Sequence, residues 1–514
     1  MRAALGMGLL AALLVVGAAR VAAEVDADRL AARYGFAPHH LGYVLFDPTD
    51  GRVLDEHNAD EPFIPASTTK VATALAALEV LGADFRFSTT LLATGSIEDG
   101  VLEGDLWLRG GGDPTLTSDD LRDLVGDLRA AGVRRVAGSF FYDESLFPRT
   151  NEIDVLQPEA STYNPAVEAL PVNYNRLVLR WRRDPRTGRL DATFLSPADG
   201  GAVPVHGLSA GLLSADVDPR IELAFAPGPK PRWLLSPRLP AKGSVEVPVK
   251  AEPGGLAAEI FATLARRAGV ELPPPQRGTV PSGAREIARV ESAPLTRVVE
   301  GLLRFSNNLT AELTGLATSR RLTGEGLSLR ASAERVARWW QDRLPQTSFA
   351  GFVAANHSGL SSVTRHTPRQ LAAILRHGYT RHAAAPRLPE LLKEYSPGEL
   401  AAGGNGTARV AEQAAVTPRV RAKTGTLLYA DGLVGYLTDA RGRELGFVIL
   451  LTDAAARARL DAERDVRVRT SPPEATDWTS RAKALERELV TRWSSGDHRG
   501  SRGPHNKSDG SSPP

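Results

Sequence analysis

Pro65-Ala66-Ser67-Thr68-Thr69-Lys70-Val71-Ala72 is the stretch on which the reading of this chain turns. Val71, Leu75 and Leu78, with Gly82 as a stop, predict an amphipathic helix of about three turns. Ser67 and Lys70 are three apart, so a helix that begins at or just before Ser67 puts both side chains on one face. A serine hydroxyl becomes a useful nucleophile only when a base takes its proton. A lysine one turn away can be that base if its surroundings hold it neutral. The partial positive charge of a helix start and desolvation both push that way. Only 8 of the 62 basic residues are lysine. Arginine keeps its proton in a protein and lysine need not, so a lysine at position 70 of an arginine-rich chain is informative. The plainer reading is a serine N-cap followed by a solvated lysine. Ser480-Arg481-Ala482-Lys483 repeats the spacing inside a charged helix expected at Trp478 to Trp493. Solvated neighbours keep that lysine protonated, and we read this copy as a decoy.

The rest of the composition narrows the class. At 514 residues the chain has room for two or three domains with large cores. A formal charge of +2 supplies no basic field for a nucleic-acid partner. The 48 glycines and 36 prolines follow no period and fit the turns of a β-containing globular protein. The absence of cysteine excludes disulfides, thiol nucleophiles and thiolate metal sites. His39-His40 and the other histidines lack a His-Glu-x-x-His spacing, so neither a metal nor another cofactor is expected. Arg2, the uncharged run Ala3 to Ala19 and the small exit Val21-Ala22-Ala23 read as a secretory signal over residues 1–23, with an uncleaved anchor as the alternative. Met1 and Met7, the two methionines, both fall inside it. A chain starting at Glu24 would contain no sulfur, which suits an exported protein exposed to oxidants and equally follows from codon bias. A periplasmic or cell-envelope location is expected, with room for peripheral contact with the membrane. From Ser494 onward 13 of 21 residues are Ser, Gly or Pro, which predicts a disordered tail over 494–514.

Along the chain, Leu41 to Phe46 and Arg52 to Asp55 flank an Asp47-Pro48-Thr49-Asp50-Gly51 turn and predict a hairpin that leads into the Ser67 helix. Strand texture then dominates at Phe85 to Leu92, Leu106 to Leu108, Arg135 to Tyr142, Leu177 to Arg182, Leu190 to Leu195, Ile221 to Phe225 and Val245 to Val249. It is interrupted by one capped helix starting at Ser118. Helical texture returns at Leu256 to Ala268, Pro294 to Phe305, Leu309 to Arg320, Ala331 to Leu344 and Pro368 to Tyr379. A glycine-rich loop, Gly403-Gly404-Asn405-Gly406, precedes two further strands, Gly432 to Leu437 and Leu445 to Leu451. The expected division is 24–83 with 254–493 as one discontinuous domain, and 84–253 as an inserted β-rich part.

Two other motifs carry chemistry. Ser306-Asn307-Asn308 breaks two apolar helices, where polar side chains can face a cleft; its plainer reading is a helix cap. Lys423-Thr424-Gly425 sets a lysine and hydroxyls beside a glycine that allows close backbone approach, an arrangement suited to a carboxylate; its plainer reading is an edge strand with a protective lysine. Ser-x-x-Lys, Ser-x-Asn and Lys-Thr-Gly in this order form the set of penicillin-binding proteins and serine β-lactamases. The chain resembles the class C low-molecular-mass penicillin-binding proteins, the D-alanyl-D-alanine carboxypeptidase/endopeptidase (S13) family. Gly104 to Leu116, Val172-Asn173-Tyr174-Asn175 and Ser306 to Glu312 carry further likeness. So does the large insert between Ser67 and Ser306, which β-lactamases lack. One departure stands out: Asn356-His357-Ser358-Gly359-Leu360-Ser361 replaces the family's Asp-Gly-Ser-Gly-Leu-Ser, which leaves the local hydrogen bonding open.

The resemblance implies an α+β fold of the penicillin-binding-protein/serine β-lactamase transpeptidase type: an antiparallel sheet flanked by helices, with a large β-rich insertion. It implies a serine-type D-Ala-D-Ala carboxypeptidase or DD-endopeptidase acting on peptidoglycan stem peptides through an acyl-enzyme, with β-lactams as inhibitors. Ser67 is then the nucleophile, Lys70 its base and Ser306 a proton relay. Asn308 holds the substrate backbone, and Lys423, Thr424, Gly425 and Thr426 receive its terminal carboxylate. The Ser67 and Thr426 N–H groups form the oxyanion hole. The alternatives are a serine β-lactamase, for which no deacylating glutamate can be placed, and a non-catalytic wall-binding scaffold of the same fold. Oligomeric state stays open.

Overall fold

A computed structural model of the chain describes residues 26–380, 386–395 and 419–496. The leader expected at 1–23, the glycine-rich loop at 403–406 and the tail from 497 onward lie outside these residues.

In chain order, α1 (Ala27–Arg33), β1 (Leu41–Phe46) and β2 (Val53–His57) lead to a 3-10 turn at Ala66–Thr69 and then α2 (Lys70–Val80). The inserted part holds β3 (Ser88–Ala93), β4 (Ile97–Glu98), β5 (Val101–Leu102), β6 (Leu106–Gly110), α3 (Ser118–Ala130), β7 (Arg135–Val136) and β8 (Phe140–Asp143). It continues with β9 (Arg176–Arg183), β10 (Leu190–Ser196), β11 (Val203–Val205), β12 (Ser209–Leu212), β13 (Leu223–Ala226), β14 (Arg232–Leu235) and β15 (Lys242–Pro248). After α4 (Pro253–Arg267), β16 (Pro275–Arg277) and β17 (Arg285–Glu291) come α5 (Leu295–Phe305), α6 (Asn308–Thr323), α7 (Leu329–Arg343), α8 (Pro368–Thr380) and α9 (Leu388–Leu391). The chain closes with β18 (Lys393–Tyr395), β19 (Val420–Leu427), β20 (Ala430–Thr438), β21 (Glu444–Thr452), α10 (Ala454–Glu463) and α11 (Pro473–Ser494).

The central sheet is antiparallel throughout, in the order β18-β19-β20-β21-β1-β2. Both of its faces are covered, which is why β20 and β21 read as continuous apolar runs. Leu433, Leu437, Phe447, Ile449 and Leu451 pack against α1 and α11. Their alternating neighbours Val434, Tyr436, Val448 and Leu450 pack against α2, α5, α7 and α8. This is the expected α+β architecture. The predicted amphipathic character of α2 is corrected: every residue from Lys70 to Leu78 is buried. Ala72, Ala74, Ala76 and Ala77 are small enough for sheet and helices to close on all sides of it, so α2 is a core helix.

In the insert β6, β9, β10 and β13 fall within two residues of their expected positions, β3 starts three residues later and β15 three residues earlier than expected, and β4, β5, β11, β12 and β14 were not expected. The helix expected to start at Ser118 does so, but its cap is Thr117, which exchanges hydrogen bonds with Asp120 in a capping box. The run expected as one strand at Arg135 to Tyr142 is split into β7 and β8. The insert's core joins Leu121, Leu124 and Leu128 of α3 to Ile260, Phe261 and Leu264 of α4, with Ala288 of β17 at its border. β17 pairs with β3. On this packing we propose that the insert closes near residue 291, not at 253.

Candidate active site

The site forms where the start of α2, the α5–α6 junction and β19 converge. Ser67 lies in the 3-10 turn and Lys70 opens α2. Ala66, just before the nucleophile candidate, has φ 47°, and Ser306, capping α5, has φ 59°. Left-handed backbone at residues that carry a Cβ is strain of the kind functional sites store, about 1–3 kcal/mol each. Asn308 is the first residue of α6, capped by Asn307, whose side chain accepts from Thr310 N.

Lys70 is wholly buried. Its Nζ lies 2.8 Å from Ser67 Oγ, 2.7 Å from Asn308 Oδ1 and 2.8 Å from Ser358 O. Two of these neighbours are carbonyl oxygens that can only accept. A neutral amine has two hydrogens and one lone pair. With both hydrogens committed to Asn308 and Ser358, the lone pair is left facing the Ser67 hydroxyl. Burial pulls the Lys70 pKa well below the usual lysine value; the charge of Lys423 adds to this and that of Glu312 opposes it. The second cause is therefore another lysine, where helix-start charge was expected.

Lys423 is buried too, donates to Thr424 O at 2.7 Å, and is brought down to about 7 by desolvation. On the same strand Thr424 and Thr426 are exposed. Thr426 Oγ1 donates to Asp431 Oδ1 at 2.6 Å, and burial pushes the Asp431 carboxyl up to about 7. β18 pairs only with Val420, Arg421 and Ala422, so among the described residues no strand pairs with Lys423–Leu427 on that side. An extended peptide can add there as a further strand. Gly425 lets β19 close on the nucleophile turn: a Cβ there would stand 2.7 Å from Pro65 O and 2.9 Å from Ser67 N.

A cavity of about 320 Å³ is lined by Ser67, Ser306, Asn308 and Thr426, among others. Lys70 touches Ser67 and Asn308 directly. Lys423, Thr424 and Gly425 stand beside this group on β19 but are not among the lining residues. Ser480 of the decoy is exposed and donates to Thr476 O at 3.0 Å, but the solvated neighbourhood expected around it is corrected, since Glu486 is buried and Lys483 half-buried. Ser480→Ala is expected to leave penicillin labelling unchanged and stability within about 0.5 kcal/mol, as measured by labelling rate and thermal melt.

The reading of the sequence passed over Glu312 as a site residue. Its carboxylate accepts from His357 N and Ser358 N, both at 2.9 Å, and so holds the loop whose Ser358 carbonyl meets Lys70. The available signal was its place one turn after Asn308 on α6. Glu312→Gln removes one of these bonds and a charge that favours protonated Lys70. Acylation is expected to slow about tenfold, and its acid limb should move to lower pH in a stopped-flow pH series. A merely loosened loop would slow the reaction without moving the limb.

The departure at 356–357 is accommodated locally. Asn356 Oδ1 accepts from Gly359 N at 2.9 Å and Leu360 N at 3.2 Å, work that needs only an acceptor. The His357 ring is buried, held neutral by burial with its pKa near about 3, and meets Ser332 Oγ at 2.7 Å. It packs on Gly315, where a Cβ would come within 2.1 Å of the ring.

Comparison with known proteins follows the same lines. The model of a family described as the D-Ala-D-Ala carboxypeptidase 3 (S13) family matches residues 27–471. A D-alanyl-D-alanine carboxypeptidase of Actinomadura sp. (strain R39) is 30% identical over 459 residues, covering 83% of this chain and 80% of the relative. The D-alanyl-D-alanine carboxypeptidase DacB of Haemophilus influenzae is 25% identical over 439 residues, covering 80% and 84%. The crystal structure of penicillin binding protein 4 (dacB) from Haemophilus influenzae superposes with a TM-score of 0.70 at 21% identity, covering 88% of this chain and 96% of that one. A structure of the same protein complexed with a novel β-lactam gives 0.66 at 22%.

Proposed function

The chain belongs to the D-Ala-D-Ala carboxypeptidase (S13) family, and from that premise we propose that it hydrolyses the D-Ala–D-Ala bond of peptidoglycan stem peptides, as a carboxypeptidase, a DD-endopeptidase or both. The observation that carries this is the Lys70 amine, buried, depressed and fixed by two acceptors with Ser67 as its third neighbour. Ser67 Oγ attacks the carbonyl carbon between the two D-alanines as its proton passes to Lys70. The Ser67 and Thr426 N–H groups receive the oxyanion; each such donor is worth on the order of hundredfold in rate. The C–N bond breaks as Ser306 relays a proton to the leaving amine, and D-alanine, or in a cross-link the amine of the attached stem peptide, departs. Water then attacks the ester and returns the proton through Lys70, releasing the shortened peptide.

Asn308 holds the substrate backbone. Thr424, and Thr426 once its hydroxyl turns from Asp431, donate to the terminal carboxylate, while Lys423 supplies positive charge behind them. A β-lactam presents an equivalent carbonyl within a strained ring and acylates Ser67. The proposed substrate lies in the cell envelope, and export to it is part of the proposal. Among the described residues no helix is long and apolar enough to cross a membrane. Purified pentapeptide monomers and cross-linked muropeptides, digested and weighed by mass spectrometry, test the reading. Loss of D-alanine or splitting of the cross-link supports it, and neither product overturns it.

A further inference from the structure

Lys483, the lysine of the second Ser-x-x-Lys spacing, reaches the site from behind. Side chains alternate along β20, so Asp431 lies on the same sheet face as Leu433 and Leu437, the face that α11 covers. Asp431 is 1% exposed. Its Oδ1 accepts from Thr426 Oγ1 across the β19–β20 pair at 2.6 Å. Its Oδ2 has no hydrogen-bond partner among the described residues. The charged groups around it come from α11: half-buried Lys483, and buried Glu486, whose Oε1 likewise lacks a partner among the described residues. Arg487 acts on Glu486 from the same helix. Facing Asp431 from the neighbouring strands are the Thr426 hydroxyl of β19 and the apolar Leu451 of β21. Two buried carboxylates thus stand near one lysine, a grouping that favours a proton on at least one of them. Burial and then the charge of Asp431 push Glu486 well above its ordinary value, so it keeps its proton and Asp431 is the member that titrates. Burial brings Asp431 up to about 7, against the opposing charge of Lys483 and the Thr426 bond.

A carboxylate can only accept. When Asp431 is charged, the Thr426 hydroxyl hydrogen is committed to it, and a negative charge stands behind the place where the substrate's terminal carboxylate belongs. When Asp431 carries a proton it becomes the donor, the Thr426 oxygen accepts, and the hydroxyl hydrogen is released toward the cavity that Thr426 lines. Resting on the hydrolase reading above, we propose that Asp431 is a positioning residue whose protonation turns the Thr426 hydroxyl toward the terminal carboxylate of the substrate, with Lys483 of α11 setting how readily that proton is lost. Binding of the carboxylate is then strong below the point at which Asp431 titrates and weakens as pH rises through it.

The test is steady-state hydrolysis of a purified pentapeptide muropeptide by the wild-type protein and by Asp431→Asn, whose amide offers Thr426 a donor at every pH. At about pH 6 the two KM values are expected to agree within about twofold. At about pH 8.5 the wild-type KM should exceed that of the variant by about tenfold, with kcat equal within about twofold. Lys423 loses its charge over the same range, and the ratio of the two KM values cancels that loss. A loosened fold would weaken binding, whereas the variant is expected to bind more tightly than wild type. Lys483→Gln is the second variant. It lies outside the cavity lining, and removing its charge should move the rise in KM to higher pH by about one unit. A wild-type to Asp431→Asn ratio that stays near unity at both pH values, or a difference confined to kcat, overturns the proposal. If Asp431→Asn does not fold, an unmoved Lys483→Gln profile overturns it. Hydrolysis without the change in KM ratio sinks this proposal and leaves the hydrolase reading standing; no hydrolysis at any pH sinks both.

Discussion

Ser67→Ala is expected to abolish covalent labelling by a fluorescent penicillin and to lower D-alanine release by about 10⁴-fold or more. The substitution removes one oxygen atom from a half-buried side chain in an otherwise buried turn. It leaves Asn308 Oδ1 and Ser358 O in place as acceptors for Lys70. The fold therefore survives, and an unchanged melting profile alongside lost labelling separates loss of the nucleophile from loss of structure. Label that persists on the variant, located by mass analysis of the digested protein, would reject Ser67 as the nucleophile.

Lys70→Arg comes next in size. Arginine keeps a positive charge and hydrogen-bonding reach but cannot give up its proton. If Lys70 acts as base, the variant loses the full contribution of general-base catalysis, about 10²–10⁴-fold. The wider guanidinium also has to enter a site that is closed around a single amine. The wild-type pH profile gives the same argument a sign. Lys70 must be neutral to take the Ser67 proton, so acylation should rise with pH as Lys70 titrates at its lowered pKa. Lys423 works through its charge, and with its pKa near about 7 that help fades as pH climbs further. A bell-shaped profile of kcat/KM is therefore expected, with the ascending limb missing from the Lys70→Arg variant. Near-normal acylation in that variant would take the base role away from Lys70.

Much of this architecture could be read from the chain alone because the candidate reacting groups come as short motifs. Ser67 with Lys70, Ser306 with Asn308, and Lys423 to Thr426 each sit within one turn or one strand, so local spacing exposes them. What escaped was whatever depends on distant segments meeting. The Ser358 oxygen that fixes Lys70 belongs to a main-chain carbonyl, which no residue type announces. The effect of Lys423 on Lys70 crosses 353 positions of sequence. The burial of α2 was misjudged for a related reason: a helix rich in alanine shows little pattern of its own, and only its neighbours decide how many of its sides are covered. His357 shows the reverse case. A departure that left local bonding open was absorbed by a glycine 42 positions earlier, Gly315, on another element.

A hydrogen bond ties the β-rich body to the candidate site at Asn308. Asn308 Nδ2 donates to the main-chain oxygen of Tyr163 at 2.9 Å, while the same amide's oxygen restrains Lys70. Tyr163 belongs to the inserted part, so the side chain that aims the amine is itself steadied from outside the catalytic layers. A trimmed chain lacking that body would keep all three motifs and still lose the brace that stops the Asn308 amide from swivelling. On the proposed mechanism the accessory module is thus a working component of the catalyst, since it steadies the amide that orients Lys70.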